Sequence, residues 1–212
     1  MIIYAVSDIH AKAERLDLIR SNIVAYQPDV LVVAGDIINY MKPAPVLERL
    51  NEMRLPVLAV RGNSDPAYAV RYFKAYPNVR LLNASRVTIN GISFTGLSGT
   101  IPVPFRSRVG FREKHLMEKV RPMIDSETFL IAHPPPYGTL DRVGKKFHAG
   151  SALVRDLVFQ TRPRMLICGH IHEDAGMAKL GETMVVNCCV THKGQGTLIE
   201  LDGKDSPRIK LL

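Results

Sequence analysis

Side chains that bind metal ions stand directly after short apolar runs at several places in this sequence. Asp, Asn and His supply the oxygen and nitrogen atoms that divalent transition-metal ions prefer in proteins. Two such ions about 3.5–4 Å apart can hold the oxygens of a phosphoryl group. The candidate ligands, in chain order, are Asp8, His10, Asp36, Asn63, His133, His170 and His172.

Each of these residues has an ordinary structural explanation when it is taken alone. Asp and Asn cap helices, and a lone His is usually a packed or surface residue. Chance is a poor explanation for all seven, because every one of them follows an apolar run. Glycine directly precedes Asp36, Asn63 and His170. A residue without Cβ lets the backbone turn sharply and approach a ligand, so the glycines favour a binding site.

The spacing of two pairs indicates how the ligands would be presented. In an extended segment, alternating side chains point to the same side, so Asp8 and His10 would be presented together, as would His170 and His172. A pair of divalent ions also needs a bridging anion from the protein. Asp36 is the natural candidate for that bridge.

The apolar runs themselves predict buried β-strands, which would position the candidate ligands. These runs are Ile2–Val6, Val30–Ala34, Val57–Val60, residues 128–132 and Met165–Cys168. Helical patterns follow the first three runs: one with Leu16, Ile19, Ile23 and Val24 on one side, then residues 46–53, then Ala67–Ala75. Alternating strands and helices are typical of a parallel sheet, whose carboxyl edge is where ligands bind.

Other segments predict antiparallel pairing and a rim. Asn90-Gly91 suits a type I′ turn between strands 86–89 and 92–95. Residues 100–122 are predicted to form an insert over one rim of the sheet, with a helix over 112–120. Ser151 is predicted to cap a helix that ends at Gln160. Gly176–Leu180 and residues 184–189 and 197–201 read as an antiparallel meander.

Composition narrows the class of protein. The chain has 212 residues, 46% of them hydrophobic and 23% charged, which is ordinary for a globular protein. With no linker or repeat in the sequence, we expect a single domain over residues 1–212. No uncharged apolar run approaches the roughly 18 residues of a membrane span, and Asp8 interrupts the first run too early for a signal peptide. We therefore expect a cytoplasmic protein with no membrane partner.

Cysteine count and net charge add two further constraints. Cys168, Cys188 and Cys189 form no C-x-x-C pair and are odd in number, so we expect packed thiols in a reducing compartment rather than a disulfide framework. The formal net charge of +8 favours an anionic partner, either a phosphorylated small molecule or nucleic acid.

Taken in order, the motifs resemble those of the calcineurin-like metallophosphoesterase superfamily. The matching motifs are Asp8-Ile9-His10, Gly35-Asp36, Gly62-Asn63-Ser64-Asp65, His133 and Gly169-His170-Ile171-His172. Three stretches are most similar to the Icc-related phosphodiesterase branch: His133-Pro134-Pro135, His148-x-Gly150-Ser151 and Gly169-His170-Ile171-His172-Glu173.

The resemblance implies an α/β fold, a four-layer αββα sandwich of mixed sheets. It implies hydrolysis of a small phosphate ester, a phosphodiester for this branch, by a hydroxide that bridges two divalent metal ions. It assigns one ion to Asp8, His10, Asp36 and His172 and the other to Asp36, Asn63, His133 and His170. The nitrogen and oxygen donors favour Mn, Fe, Zn, Co or Ni over Ca.

One position departs from the family pattern. The family usually has His after the Asn, where it protonates the leaving group or binds the phosphate, and this chain has Ser64. Serine is no acid near neutral pH, so the candidates to replace the His are His148 and three arginines, Arg106, Arg108 and Arg112. The predicted catalytic residues are Asp36, Asn63, Asp65 and His148, and the predicted substrate-binding residues are Asn63, Ser64, Arg106, Arg108 and His148.

Two other functions remain open at this point. The positive charge favours a nuclease that acts on single-stranded nucleic acid, although no interleaving of aromatic and basic residues supports it. Ser64 in place of His also suits a catalytically weak scaffold that only binds metal. The sequence does not settle the oligomeric state.

Overall fold

The computed structural model describes residues 1–38, 42–99, 109–144, 146–190, 194–203 and 206–212, with only the backbone of residues 109–114. The strands within these residues are β1 (Ile2–Val6), β2 (Val30–Ala34), β3 (Val57–Val60), β4 (Val79–Leu81), β5 (Ser85–Ile89), β6 (Ile92–Leu97), β7 (Phe129–Ala132), β8 (Arg142–Val143), β9 (Phe147–His148), β10 (Met165–Cys168), β11 (Gly176–Leu180), β12 (Thr183–Asn187), β13 (Thr197–Glu200) and β14 (Arg208–Leu211).

The helices in the same residues are of two kinds. The α-helices are α1 (Ala13–Tyr26), α2 (Ala44–Asn51), α3 (Val109–Val120) and α4 (Ala152–Thr161), and the 3₁₀ helices are Ala67–Ala75, Arg121–Met123 and His172–Asp174. The prediction of a helix over Ala67–Ala75 is confirmed, although it is a 3₁₀ helix. No helix in the described parts of the chain is both long enough and apolar enough to cross a bilayer.

The first sheet has the strand order β14-β13-β1-β2-β3-β4. Strands β1 to β4 run parallel to one another, as the alternation of strands and helices predicts. Strand β13 joins β1 on its other side in the antiparallel direction. The carboxyl ends of β1, β2 and β3 therefore meet at one edge of this sheet.

The second sheet has the strand order β11-β12-β10-β7-β6-β5. Its central strands β6, β7, β10 and β12 are parallel, and the two edge strands β5 and β11 are antiparallel to their neighbours. The turn between β5 and β6 has φ of 48° at Asn90 and 81° at Gly91, which confirms the predicted positive-φ hairpin turn.

The two sheets pack face to face, with helices on both outer faces, so the predicted αββα arrangement is confirmed. The alternation of side chains along β1 shows how the layers form. Tyr4 and Val6 lie in the apolar cluster shared with α1 and α2, whereas Ile3 and Ala5 lie in the cluster between the two sheets. A third cluster packs α3 and α4 against the second sheet. Because both faces of these strands are buried, their sequences are continuously apolar.

Two local predictions are wrong. Val24 was expected on the buried side of α1, but its side chain is 73% exposed. The C-terminal strands do not form one meander: β11 and β12 pair in the second sheet, whereas β13 crosses to the first sheet and pairs with β1. Strand β13 pairs with the free edge of β1, which belongs to the first sheet, whereas β11 and β12 extend the second sheet.

Candidate metal centre

Loops at the carboxyl ends of five strands form the candidate site. They follow β1, β2 and β3 in the first sheet and β7 and β10 in the second, so the site lies where corresponding edges of the two sheets meet. Among the described residues, two sets of three side chains each bring their donor atoms within 4.8 Å of one another: Asp8, His10 and His172, and Asp8, Asp36 and His133.

Unusual backbone conformations shape these loops. Positive φ angles occur at Asp8 (61°), His10 (53°), Asp36 (53°) and His170 (71°), a conformation that side chains other than glycine rarely adopt. The prediction of extended segments is therefore wrong for both pairs, Asp8 with His10 and His170 with His172. Backbone hydrogen bonds hold the loops in place: the N–H of Asp8 donates to Gly35, and the N–H of His10 donates to Asp36.

Asp8 is fully buried, and its two carboxylate oxygens face different groups. Oδ2 accepts hydrogen bonds from the Ser7 hydroxyl (2.6 Å), the His170 N–H (3.0 Å) and the Cys189 thiol (2.9 Å). Oδ1 lies 3.1 Å from Nε2 of His172. Burial alone raises the pKa of Asp8, but His172 and the other hydrogen-bonding groups hold it well below its usual value. Asp8 is therefore a fixed carboxylate with Oδ1 facing the site.

The two carboxylate oxygens of Asp36 face different histidines of the cluster. Its Oδ1 lies 3.4 Å from Nε2 of His133, and its Oδ2 lies 3.7 Å from Nε2 of His10. The N–H of Ser64 also donates to Oδ1, at 2.9 Å. Burial raises the pKa of Asp36, but the hydrogen bond and charge of His133 together with the N–H of Ser64 outweigh burial, and the pKa is below its usual value. The two oxygens of one carboxylate are thus directed at two different imidazoles.

His133 is fully buried, and a backbone group fixes its orientation. Its Nδ1 lies 2.8 Å from the carbonyl oxygen of Ala34, which only accepts hydrogen bonds, so Nδ1 is the donor. Nε2 then faces Asp36 and, at 3.0 Å, Oδ1 of Asn63. Burial lowers the pKa of His133, yet the hydrogen bond to Asp36 and the two nearby carboxylates raise it to about 9. A metal ion here would take the place of that positive charge.

His170 and His172 reach different parts of the cluster. The His170 ring packs against that of His133, with 5.0 Å between their centroids, whereas the His172 ring packs against that of His10 at 5.8 Å. Burial and the nearby His133 lower the pKa of His170 to about 4, so this imidazole is neutral at pH 7. Neutral imidazole is the form that binds metal ions.

Glycines let these loops approach one another. A Cβ on Gly62 would lie 2.1 Å from Oδ1 of Asp36, and a Cβ on Gly169 would lie 2.1 Å from the Ser7 hydroxyl oxygen. A Cβ on Gly35 would lie 2.6 Å from Nδ1 of His133. These contacts are too short for any larger residue. They supply a physical reason for the Gly-Asp, Gly-Asn and Gly-His spacing of the sequence.

Ser64 and Asp65 lie beside the cluster in different ways. Oγ of Ser64 is 3.4 Å from Nδ1 of His10. Asp65 points into the loop, where its carboxylate accepts hydrogen bonds from the N–H groups of Ile37, Ile38 and Gly62 at 2.8–2.9 Å. Burial raises the pKa of Asp65 despite these bonds. Asp65 thus joins the loop after β2 to the loop after β3.

The remaining predicted site residues are His148, which is not one of the clustered donors, and the arginines. His148 is on β9, in the hairpin that follows the His133 strand, and its Nδ1 is 2.5 Å from Oδ1 of Asp141. Arg106 and Arg108 lie outside the described residues, as does the side chain of Arg112.

Three groups around the site were not identified from the sequence. Cys189 was expected to be only a packed thiol, but it donates to Asp8; Ser7 also binds Asp8, and Asp141 binds His148. One signal was available for Cys189: it follows β12, which is parallel to β10, so it falls at the same edge as the loop after β10. No sequence pattern singled out Asp141.

Comparison with known proteins gives a consistent result. The sequence model of the calcineurin-like phosphoesterase family matches residues 1–174. An uncharacterized protein of Methanocaldococcus jannaschii is 34% identical over 170 residues, which cover 75% of this chain and 76% of that protein. A crystal structure from Thermus thermophilus has a TM-score of 0.74 at 17% identity and covers 99% of this chain and 98% of its own. A structure described as a novel archaeal phosphodiesterase has a TM-score of 0.54 at 13% identity, with full coverage of both chains.

Proposed function

The chain belongs to the calcineurin-like phosphoesterase family, and from this premise we propose that it is a phosphodiesterase that depends on two divalent metal ions. We infer that the sheets act together as one domain, because residues from Ile3 to Leu201 contribute to the apolar cluster between them. The orientation of Asp36 carries the proposal for the metal centre, since its two oxygens face His133 and His10 in opposite halves of the cluster.

We propose the following division of the ligands. Asp8, His10, Asp36 and His172 would hold one ion, and Asp36, Asn63, His133 and His170 would hold the other. The two groups of donor atoms described above share Asp8 rather than Asp36. We nevertheless assign the bridge to Asp36, because Oδ2 of Asp8 already accepts three hydrogen bonds and only its Oδ1 faces the cluster. The mixed carboxylate and imidazole donors fit transition-metal ions.

When bound, two divalent ions would activate a water molecule near neutral pH and stabilise negative charge on the phosphoryl oxygens. The protein supplies fixed positions for this chemistry. Ala34 orients His133 through its carbonyl group, and Ser7 and Cys189 hold Asp8. Asp65 acts as a positioning residue by joining the loop that carries Asp36 to the loop that carries Asn63.

The choice of a diester is the finer part of the proposal. Similarity to a structure described as an archaeal phosphodiesterase supports it, together with the sequence resemblance to the Icc-related branch. The test is to remove bound metal, add Mn²⁺, Fe²⁺, Zn²⁺, Co²⁺ or Ni²⁺ separately, and compare hydrolysis of bis(4-nitrophenyl) phosphate with that of 4-nitrophenyl phosphate. We expect metal-dependent hydrolysis of the diester at the higher kcat/KM. A preference for the monoester would replace phosphodiesterase with phosphatase.

The net charge of +8 keeps a nuclease as the second candidate. A protein that neutralises several phosphates of single-stranded nucleic acid loses affinity steeply as salt rises. A small diester that makes one phosphate contact shows a much weaker dependence. Measuring KM for an oligonucleotide and for the small diester between low and physiological salt separates the two functions. Efficient, steeply salt-dependent cleavage of the oligonucleotide would favour the nuclease.

A further inference from the structure

A second acid-base pair, Asp141 and His148, lies in the segment between β7 and α4. Nδ1 of His148 is 2.5 Å from Oδ1 of Asp141, whose carboxylate is fully buried. Oδ2 of Asp141 accepts hydrogen bonds from the N–H groups of Gly138 and Gly150, both at 2.9 Å. The imidazole is 35% exposed, so the carboxylate is fixed inside the hairpin while the histidine reaches solvent.

This arrangement sets the state of the imidazole. A carboxylate accepts hydrogen bonds, so Nδ1 carries the proton that points at Asp141. Nε2 is the ring atom left to exchange a proton with another molecule. When Nε2 takes up a proton from solvent, it becomes the atom able to donate one, while the Nδ1–H stays directed at Asp141. His148 therefore has the orientation and the partner of a general acid rather than of an unsupported surface histidine.

Backbone N–H groups tie the segment to two loops of the second sheet, the loop after β7 and the loop after β10. On the His133 side, the N–H of Ser151 donates to the carbonyl of Pro135 at 2.8 Å, two residues beyond His133. On the other side, the N–H of Arg142 donates to Asp174 at 2.8 Å, and the N–H of Gly144 donates to Glu173 at 2.5 Å. Asp174 and Glu173 belong to the 3₁₀ helix that begins with His172.

The side chain of Asn187 also connects this segment to the loop after β10. The side-chain amide of Asn187 donates to the carbonyls of Ile171 (2.8 Å), Asp174 (3.2 Å) and Leu140 (3.4 Å). One buried amide thus joins the loop that carries His172 to the residue before Asp141. The hairpin that carries His148 is thus held against the 3₁₀ helix that begins with the candidate ligand His172.

We propose that His148, oriented by Asp141, protonates the leaving group during ester hydrolysis. This inference rests on the proposed phosphoesterase function. The oxygen of water bonds to phosphorus and releases a proton to solvent, and the bond from phosphorus to the leaving oxygen breaks. That oxygen keeps the electron pair and takes the Nε2 proton of His148, which later regains a proton from solvent. The pair supplies the acid that Ser64 does not.

The test uses aryl methyl phosphates, whose phenol leaving groups range from 2,4-dinitrophenol to unsubstituted phenol. A good leaving group departs without a proton, whereas a poor one needs it. His148→Ala should therefore lower kcat for the phenol ester by about 10²–10⁴-fold, and leave the dinitrophenol ester nearly unchanged. Added imidazole should restore part of the lost rate. Val143→Thr, on the same hairpin, is the control and should keep the leaving-group dependence of the unchanged protein.

Asp141→Asn tests the positioning role. One oxygen of the asparagine remains for the N–H groups of Gly138 and Gly150, but the group facing His148 becomes a donor. The imidazole proton should move from Nδ1 to Nε2, and ¹⁵N NMR of metal-free protein should record that shift with no change in melting temperature. The loss of rate should again be greatest for the phenol ester. An unchanged tautomer would overturn the positioning role of Asp141.

Two results would overturn the proton-donor role of His148. One is an unchanged rate for every ester in His148→Ala. The other is an equal loss for all esters, with no rescue by imidazole, which would indicate a structural role. If the unchanged protein, loaded with metal, hydrolyses neither ester, the proposed function itself fails, and the role of His148 fails with it. Metal content measured for each variant separates these outcomes.

Discussion

Two halves of the metal centre differ in their exposure to solvent. In the sealed half, formed by Asp36 and His133, the side chains are 4% and 0% exposed. In the open half, formed by His10 and His172, they are 18% and 38% exposed. An imidazole is present in both halves, so the difference in exposure between His133 and His172 comes from what surrounds each ring. We infer that substrate enters beside the open half, whereas the sealed half couples metal binding most closely to the folded structure.

Removing the carboxylate that faces both halves should have the largest effect. In Asp36→Asn, one oxygen becomes a neutral amide group, which cannot bridge two cations. We expect both bound ions and the hydrolytic activity to be lost together. Metal analysis of the purified variant, with activity measured under saturating Mn²⁺, checks this. Two ions still bound in Asp36→Asn would contradict the assignment of the bridge.

Asp17→Asn is the matched control for that variant. Asp17 also loses one carboxylate charge, but it lies on α1, is 68% exposed and pairs with Arg49. Exposed ion pairs contribute about 0–1 kcal/mol to stability. Asp17→Asn should therefore keep the metal content and the activity of the unchanged protein.

Adding one methyl group beside the sealed half should have the next largest effect. The new Cβ of Gly62→Ala would lie 2.1 Å from Oδ1 and 2.5 Å from the backbone nitrogen of Asp36, so the loop must move. A displacement of about 1 Å costs roughly 100-fold in rate. Steady-state kinetics should show this fall in kcat/KM, and an unchanged value would mean that the Asp36 loop adjusts freely.

Gly91→Ala separates local strain from damage to the site. Its Cβ would meet no atom within 4 Å, but its φ of 81° is unfavourable for alanine. The variant should lose about 1–2 kcal/mol of unfolding free energy, measured by urea denaturation, with no change in metal content.

The two halves should respond differently to the loss of one histidine. His133→Ala leaves the buried carbonyl of Ala34 without its side-chain donor, which costs about 1–3 kcal/mol in addition to the cavity. His172→Ala also takes a hydrogen-bond partner from Oδ1 of Asp8, but the ring is 38% exposed and its loss leaves no buried cavity, so the metal-free protein should lose less stability than in His133→Ala. Thermal denaturation of both variants without metal makes the comparison. Equal losses of stability would contradict the distinction between a sealed and an open half.

Cys189 should have the smallest effect. Its thiol donates to Asp8 from behind the cluster, and loss of such a supporting hydrogen bond weakens metal binding by about 10–100-fold. Titration of Mn²⁺ into Cys189→Ala should show this weaker binding with two ions still bound at saturation. Cys168→Ala is the control, because that thiol donates to the backbone carbonyl of Val186. An equal effect in both variants would assign the change to packing.

Parts of this molecule could be predicted from sequence because burial constrained the residue types strongly. Ile2–Val6, Val30–Ala34 and Val57–Val60 are buried on both faces, so a continuous apolar run marked each strand with its correct ends. The candidate ligands could be grouped for a related reason, because parallel strands bring their carboxyl ends to one edge.

Other features depend on contacts between distant segments. Positive φ at Asp8 and His10 is stabilised by hydrogen bonds to the loop after β2, which local spacing does not reveal. Asp141 has a partner seven residues away and is fully buried, yet its neighbours in sequence are those of an ordinary polar loop. Strand β13 pairs with β1, which lies nearly the whole sequence away, and the residues of β13 do not indicate which strand it pairs with.

We propose that this fold holds two metal ions that act together in ester hydrolysis. The most direct test is a calorimetric titration of Mn²⁺ into metal-free protein, with the rate of bis(4-nitrophenyl) phosphate hydrolysis measured at each point. We expect two ions per chain and activity that rises as the second ion binds. Full activity with a single ion, or with none, would contradict it.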